Sequence, residues 1–185
     1  VRDSISCFIE KKLFLKVNFD KTVVGSLAGK KYLGYSFYWR GKTGLGLCVH
    51  RESREKFKRT LKHITSRSNG KGYAWLKHRL TTYIRGWISY YRMADMKSFI
   101  EKTHGWLQRR LRMYIWKCWK KVKTRYANLQ RCGISKYLSW QWANTRKGYW
   151  HIAGSWSLSR SITNSNLDKA GYPSIIAVYS RMHRN

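Results

Sequence analysis

The sequence predicts a mainly α protein, a helical bundle preceded by a small β or α+β part, and three observations carry that expectation. From Arg51 onward, apolar residues recur at helical spacing through long stretches. Before His50, short alternating runs are punctuated by glycine. The 185-residue chain holds one proline and is 43% hydrophobic with 16% aromatic residues, too apolar for a disordered basic tail and large enough to bury a core.

Residues 1–50 form the first expected unit. SISCFIEKK reads as a short helix, and LFLKVNFD as an alternating run with Leu13, Leu15 and Val17 on one face. Strand-like runs follow at Thr22 to Val24 and Tyr32 to Trp39, set off by Gly25, Gly29 and Gly34, and GKTGLGLCVH is expected to turn as a hairpin. GKTGLG is not a phosphate loop, because the glycine needed five positions before Gly41 is Ser36.

Residues 51–130 form the second unit. A helix over about 51 to 66, capped by Ser53, turns Phe57, Leu61 and Ile64 inward and leaves Lys56, Arg59, Lys62 and His63 on other faces. The loop RSNGKGY breaks it. In the next helix Leu76, Leu80, Ile84, Trp87 and Tyr91 make a stripe, with Lys77, Arg79 and Arg85 off it and Arg92 just beyond. Gly86 interrupts this helix at a cost of about 1 kcal/mol relative to alanine, so a closely packed neighbour or a bend is expected there. A third helix, from about Met96 to Tyr126, takes Phe99, Thr103, Leu107, Leu111, Tyr114, Cys118 and Val122 inward. Its outward face is expected to carry Arg109, Arg110, Arg112, Lys117, Lys120, Lys121, Lys123 and Arg125.

Residues 131–185 read as a helical extension, with amphipathic pieces at Ser135 to Asn144, Ser155 to Lys169 and Pro173 to Met182. Between the first two, TRKGYWHIAGSW mixes Arg146, Lys147 and His151 with Trp150 and Trp156.

Charge decides the class of partner. Against 39 Lys and Arg stand 8 Asp and Glu, a net charge of +31 that far exceeds the roughly 2 to 8 that solubility asks for. No acid lies between Glu101 and Asp168, whereas a merely solvated helix intersperses carboxylates. A polyanion is the expected partner, and the interleaving of Arg and Lys with 10 Trp and 13 Tyr favours folded or single-stranded RNA. Arginine forks grip phosphate while indole and phenol rings stack on unpaired bases.

Catalytic and metal chemistry lacks its residues. There is no Asp-Asp or Asp-x-Asp pair for two magnesium ions, no H-E-x-x-H, no nucleophile elbow and no C-x-x-C. Cys7, Cys48, Cys118 and Cys132 are expected as buried, reduced thiols. The sequence therefore predicts no catalytic residue and no metal site. No apolar stretch is long enough to span a membrane, and VRDSISCF at the start lacks the order of a signal peptide and reads as a cut from a longer chain.

Four motifs occur in a set order. Tyr32-Leu33-Gly34-Tyr35-Ser36-Phe37 is of the F-L-G-[FY]-x-F type with Tyr32 in place of the first Phe, and Arg85-Gly86-Trp87-Ile88-Ser89-Tyr90-Tyr91 fits R-G-W-x-x-Y-[FY]. Trp106 with Arg109-Arg110-Leu111-Arg112 fits W-x-x-R-R-[LI]-R, and Trp116 to Arg125 fits W-K-x-W-K-x-x-K-T-R. In these the chain resembles the C-terminal part of group II intron reverse transcriptases, the maturases, over nearly its whole length. Upstream, Lys12-Leu13, Leu15 to Asn18 and Lys21-Thr22 resemble the last palm segment of those enzymes.

The resemblance implies the end of a palm with a β-hairpin over 1–50, a helical thumb, or domain X, over 51–130, and a C-terminal extension over 131–185. It implies that the chain binds group II intron RNA to assist its folding and splicing, the ribozyme making and breaking the bonds. In a full-length parent the same helices would clamp an RNA/DNA template-primer duplex, with target DNA a further partner. The polymerase Y-A-D-D-like loop is absent, so the chain is not expected to be an enzyme by itself. It is expected to need no cofactor, magnesium belonging to the full-length polymerase and the ribozyme. A bacterial cytoplasmic location without membrane contact follows from the same resemblance. RNA contacts are expected from Arg59, Lys62, Lys77, Arg79, Arg85, Arg92, Arg146, Lys147 and the outward row of the third helix. Gly34, Gly86, Trp87, Tyr90, Tyr91 and Trp106 are expected as structural motif residues. The alternative reading is a sequence-tolerant DNA-binding module, or an inactive remnant of a truncated intron-encoded protein.

Overall fold

The computed structural model describes residues 2–20, 22, 24–41 and 44–183. Among them are ten helices and one small sheet. Helix α1 (Arg2–Leu13) comes first, and the three-stranded antiparallel sheet β1 (Lys31–Tyr32), β2 (Tyr35–Trp39) and β3 (Leu45–Val49) follows. The long helices are α2 (Arg51–Ile64), α3 (Tyr73–Tyr90) and α4 (Lys97–Cys118). Shorter ones complete the chain: α5 (Val122–Arg131), α6 (Lys136–Ala143), α7 (Tyr149–Ala153), α8 (Trp156–Ser161), α9 (Asn164–Lys169) and α10 (Ile175–His183).

The N-terminal part differs from the sequence reading at two places. Leu13, Leu15 and Val17 form no strand, and Leu13 and Leu15 are exposed with no partner sheet to fix an extended run. Of the run at Thr22 to Val24, Val23 lies outside the described residues and its two neighbours carry no strand. Tyr32 to Trp39 is two strands instead of one, because Leu33 and Gly34 both adopt positive φ (49° and 82°) and turn the chain between β1 and β2. The expected hairpin follows, with β2 paired to β3 from Tyr35 opposite Val49 to Trp39 opposite Leu45.

Gly34 ties sheet to helices. Its carbonyl accepts from the His50 N–H (2.9 Å) and the Ser53 hydroxyl (3.1 Å). Ser53 is thereby used up as a donor, and the cap of α2 is His50, whose Nδ1 accepts from the Glu52 N–H. A methyl at Gly34 would collide with the Tyr91 hydroxyl, so both the φ and the close approach demand glycine. Tyr90 donates its hydroxyl to the Leu33 carbonyl (2.9 Å), and Tyr35 donates to the Tyr90 carbonyl. The first two motifs thus meet in space, the turn of one against the helix end of the other.

The core lies between α2, α3 and α4, with α7 and α10 packed on α4 and α10 also on α3. The expected stripes of α2 and α3 face it: Phe57, Leu61, Leu76, Leu80 and Ile84 are fully buried, and Ile64 and Tyr91 nearly so. Phe57 stacks on Tyr83 and Trp87, with ring centroids 5.6 and 4.1 Å away. Gly86, in contrast to expectation, has no close neighbour: a Cβ there would meet nothing within 4 Å, and α3 runs on through it.

The third helix ends earlier than its periodicity predicts. Helix α4 stops at Cys118, and Trp119 leaves the helical region at ψ 62° before α5 begins. Arg125 donates Nε to the Trp119 carbonyl (2.9 Å), satisfying a group that continued helix would have bonded, while its guanidinium lies over the Trp116 ring. With the break, the inward stripe changes register: Cys118 and Val122 are exposed, and Leu129 is the buried residue of α5. The thiols are not buried either; all four are free, Cys7 and Cys118 exposed and the other two half-buried. Among the described residues no helix is long and apolar enough to cross a membrane.

Candidate nucleic-acid interface

Helix α3 runs back along α2; two hollows follow the seam between them, and a third lies at its end, between the α2–α3 loop and the end of α4. The first, about 580 Å³, is lined by Lys56 and Arg59 of α2 and by Tyr83, Trp87, Tyr90 and Tyr91 of α3, with Lys31 and Glu52 at its edge. The second, about 400 Å³, continues along both helices past Thr60, His63, Trp75 and Arg79. The third, about 410 Å³, shares Ser68, Asn69 and Lys71 with the second and extends to Arg67, Tyr73, Lys117 and Lys120. Together they make a furrow with an aromatic floor and a cationic rim. Its single carboxylate, Glu52, is engaged by Lys31. The charge that makes the pair also holds the Glu52 carboxyl below its ordinary value, the hydrogen bond from Lys31 being the main cause.

Aromatic rings fix several of these cations. Lys71 sits 4.4 Å over the Trp75 ring, and Arg67 and Lys117 both lie 5.3 Å from the Tyr149 ring, which brings α4 and α7 to the end of the furrow. Tyr114 donates its hydroxyl to the Lys71 carbonyl and so anchors the loop between α2 and α3.

The arginine row of α4 does not face outward as its sequence suggests. Arg110 is buried and donates Nε to the Thr65 hydroxyl (2.6 Å) and a terminal nitrogen to the carbonyls of Lys62 (3.1 Å) and Thr65 (3.2 Å), the last acceptors of α2. Arg112 is buried against α8 and α9, bonding the Ile162 carbonyl (2.8 Å) and Asn164 Oδ1 (2.6 Å). Burial lowers the basicity of both guanidiniums, yet carbonyl oxygens replace the lost water. Arg109 donates to the Trp150 carbonyl (2.8 Å) and stacks on that indole at 4.1 Å. Arg125 is half-buried at the α4–α5 break. Trp106 is half-buried beneath the Arg110 guanidinium. The W-x-x-R-R-L-R stretch therefore sends three arginines in three directions to hold α2, α7 and α8 against α4.

Of the expected contact residues, Arg59, Arg79, Lys117 and Lys120 come together in the furrow. Lys62, Arg85, Arg92, Lys121, Lys123, Arg146 and Lys147 are exposed but line none of the three hollows. Lys77 is turned to the other side of α3, over the Tyr172 ring. Sequence reasoning missed Arg67 and Lys71, and gave Lys56 only as one of the cations on the outer faces of α2. The signal was the RSNGKGY loop, whose two cations bracket an Asn-Gly turn between two basic helices, a loop read only as a helix break.

Fold and furrow together describe a mainly helical, strongly basic chain. Residues 54–133, which span α2 from its first turn to the end of α5, match the family model described as the group II intron, maturase-specific domain. That match supports a maturase C-terminal region and a maturase-related function for this part of the chain. The sheet, α1 and the helices from α6 onward lie outside it. No curated protein matches the chain. No group of three or more His, Cys, Asp or Glu placed to hold a metal ion is found among the described residues.

Proposed function

We propose that this chain binds group II intron RNA along the α2–α3 furrow and holds the RNA in its splicing-competent fold, leaving the bond chemistry to the ribozyme. The observation that carries this reading is the rim of Lys56, Arg59, Arg79, Lys71, Arg67, Lys117 and Lys120, opposed by one carboxylate that already has a partner. Each phosphate neutralised there releases condensed counterions, which is the main driving force for such binding. Arg85, Arg92, Lys121, Lys123, Arg146 and Lys147 extend the field around the furrow. Arg110 and Arg112 do not contact RNA in this reading, their donors being spent on the protein. In a longer parent chain, residues 1–50 complete a palm and the same helices close on a template-primer duplex.

The test is a filter-binding series at several salt concentrations with intron RNA, an unrelated folded RNA and duplex DNA. Intron RNA should bind tightest. Reversing Arg59, Arg79 and Lys120 together should weaken binding and flatten the log–log salt slope by about 0.7 to 0.9 per lost phosphate contact. Equal affinity for all three nucleic acids, or an unchanged slope in the triple variant, would remove the basis for this function.

A further inference from the structure

Helix α6 presents two large rings to solvent. Ser135 caps the helix by accepting from the Leu138 N–H, and the small residues Ser139 and Ala143, both fully buried, let it lie close against α5. Trp142 turns to α8, where its ring meets Trp156 edge-on at 5.7 Å. Helical spacing places Tyr137, Trp140, Gln141 and Asn144 on a face away from Ser139 and Ala143, and all four are exposed. Tyr137 is 73% and Trp140 62% exposed, and among the described residues neither ring packs against the core or another ring. Single exposed apolar side chains are ordinary on any surface, whereas two aromatic rings on one helical face make a patch.

The surroundings of the patch select its partner. Arg125 donates a terminal nitrogen to the Ala143 carbonyl (3.5 Å), which sets the end of α6 beside the first turn of α5. Lys121 and Lys123, which open α5, and Arg146 and Lys147, just past α6, therefore gather near the Trp140 end of the helix. All four are exposed, and no ion pair is seen for any of them among the described residues. No acid lies between Glu101 and Asp168 in the sequence. A second copy of this chain would bring another +31 to the contact and be repelled. An RNA strand brings a phosphate with each nucleotide, and an unpaired strand also offers base faces that a duplex keeps inside its stack.

Resting on the RNA-binding reading above, we propose that this face of α6 is a stacking platform for an unpaired segment of RNA. Bases stack on Tyr137 and Trp140, and Lys121, Lys123, Arg146 and Lys147 hold the adjoining phosphates. The two rings lie outside residues 54–133 and line none of the hollows of the α2–α3 furrow. The chain then holds RNA at two places by different physics. Counterion release dominates at the furrow, and the flat rings of α6 add a preference for single strands.

The experiment uses the 185-residue chain, an unstructured oligouridine and a blunt, fully paired RNA hairpin with the same number of phosphates, each over a salt series. Trp140→Ala and Tyr137→Ala should each weaken oligouridine binding about tenfold, the size expected of one stacked base. The salt slope should not change, because no phosphate contact is lost, and hairpin affinity should stay the same. Both side chains are exposed, so the thermal midpoint should hold and lost binding is not lost fold. Trp140→Leu keeps an apolar side chain without the flat ring and should behave as alanine does, whereas Trp140→Phe should retain most of the affinity. Unchanged oligouridine binding in the alanine variants overturns the platform and leaves the furrow reading intact. Equal weakening toward oligouridine and hairpin also overturns it, as does a leucine variant that binds like the parent. A dimer in sedimentation that Trp140→Ala dissolves overturns it in favour of contact between copies. Binding to neither RNA overturns the platform and the proposed function together.

Discussion

At the scale of single residues, the arginines of α4 show how little a side chain's charge says about its role. Arg109, Arg110 and Arg112 sit in one run of basic residues, yet each reaches a different carbonyl on a different helix. Sequence supplies the type and spacing of a cation. It does not supply the direction in which neighbouring helix ends present unsatisfied oxygens, and that direction decides whether an arginine binds solvent, phosphate or protein. Arg110 closes the C-terminal end of α2 with three hydrogen bonds from a buried position. Arg110→Ala strands those acceptors and should lower stability by about 3 kcal/mol in urea unfolding, and Arg110→Lys should recover only part of it because an ammonium lacks the planar fork. Lys123→Ala, exposed and without such partners, should change stability by less than about 0.5 kcal/mol. Equal small effects at the two sites would mean that Arg110 is not structural.

At the scale of elements, what was readable follows from local periodicity. The stripes of α2 and α3 are set by residues that contact one another within four positions, and those helices appear where the spacing puts them. The end of α4 was not readable, because no glycine or proline marks it. Trp119 breaks from the helix because Arg125, six residues on, takes its carbonyl, a contact that exists only once α5 has folded back. The furrow was half readable for the same reason: its cations are local to α2, α3 and their loop, but the meeting of Lys117 and Lys120 with Lys71 depends on how α4 crosses. The turn at Gly34 is an intermediate case, with the glycine evident and its reason hidden in Tyr91, 57 residues later. Gly34→Ala should cost about 2 kcal/mol, part from the positive φ and part from the collision. Adding Tyr91→Phe removes the colliding oxygen, so the double variant should regain the steric part alone. If it regains nothing, the collision is not what selects glycine there.

At the scale of the whole molecule, the net charge of +31 acts on stability before any partner arrives. The ion pairs found among the described residues, Lys31–Glu52, Arg40–Asp95 and Arg51–Glu55, are all well exposed, and pairs of that kind contribute about 0 to 1 kcal/mol each. The remaining cations repel one another. Raising sodium chloride from low to moderate concentration shortens the screening length from about 30 Å at 0.01 M to about 10 Å at 0.1 M and weakens that repulsion. The thermal midpoint of the free protein should therefore rise with added salt, and sodium chloride is the right salt because sulfate would strengthen apolar burial in any protein. With saturating RNA the sign should reverse. Bound phosphate already neutralises the rim, the complex stabilises the fold through binding linkage, and added salt now weakens that binding by opposing counterion release. Melting curves of the free and bound protein over the same salt series test both halves. A midpoint that falls with salt in the free protein would show that its ion pairs outweigh repulsion. A bound protein that gains stability from salt would place the RNA away from the cationic rim.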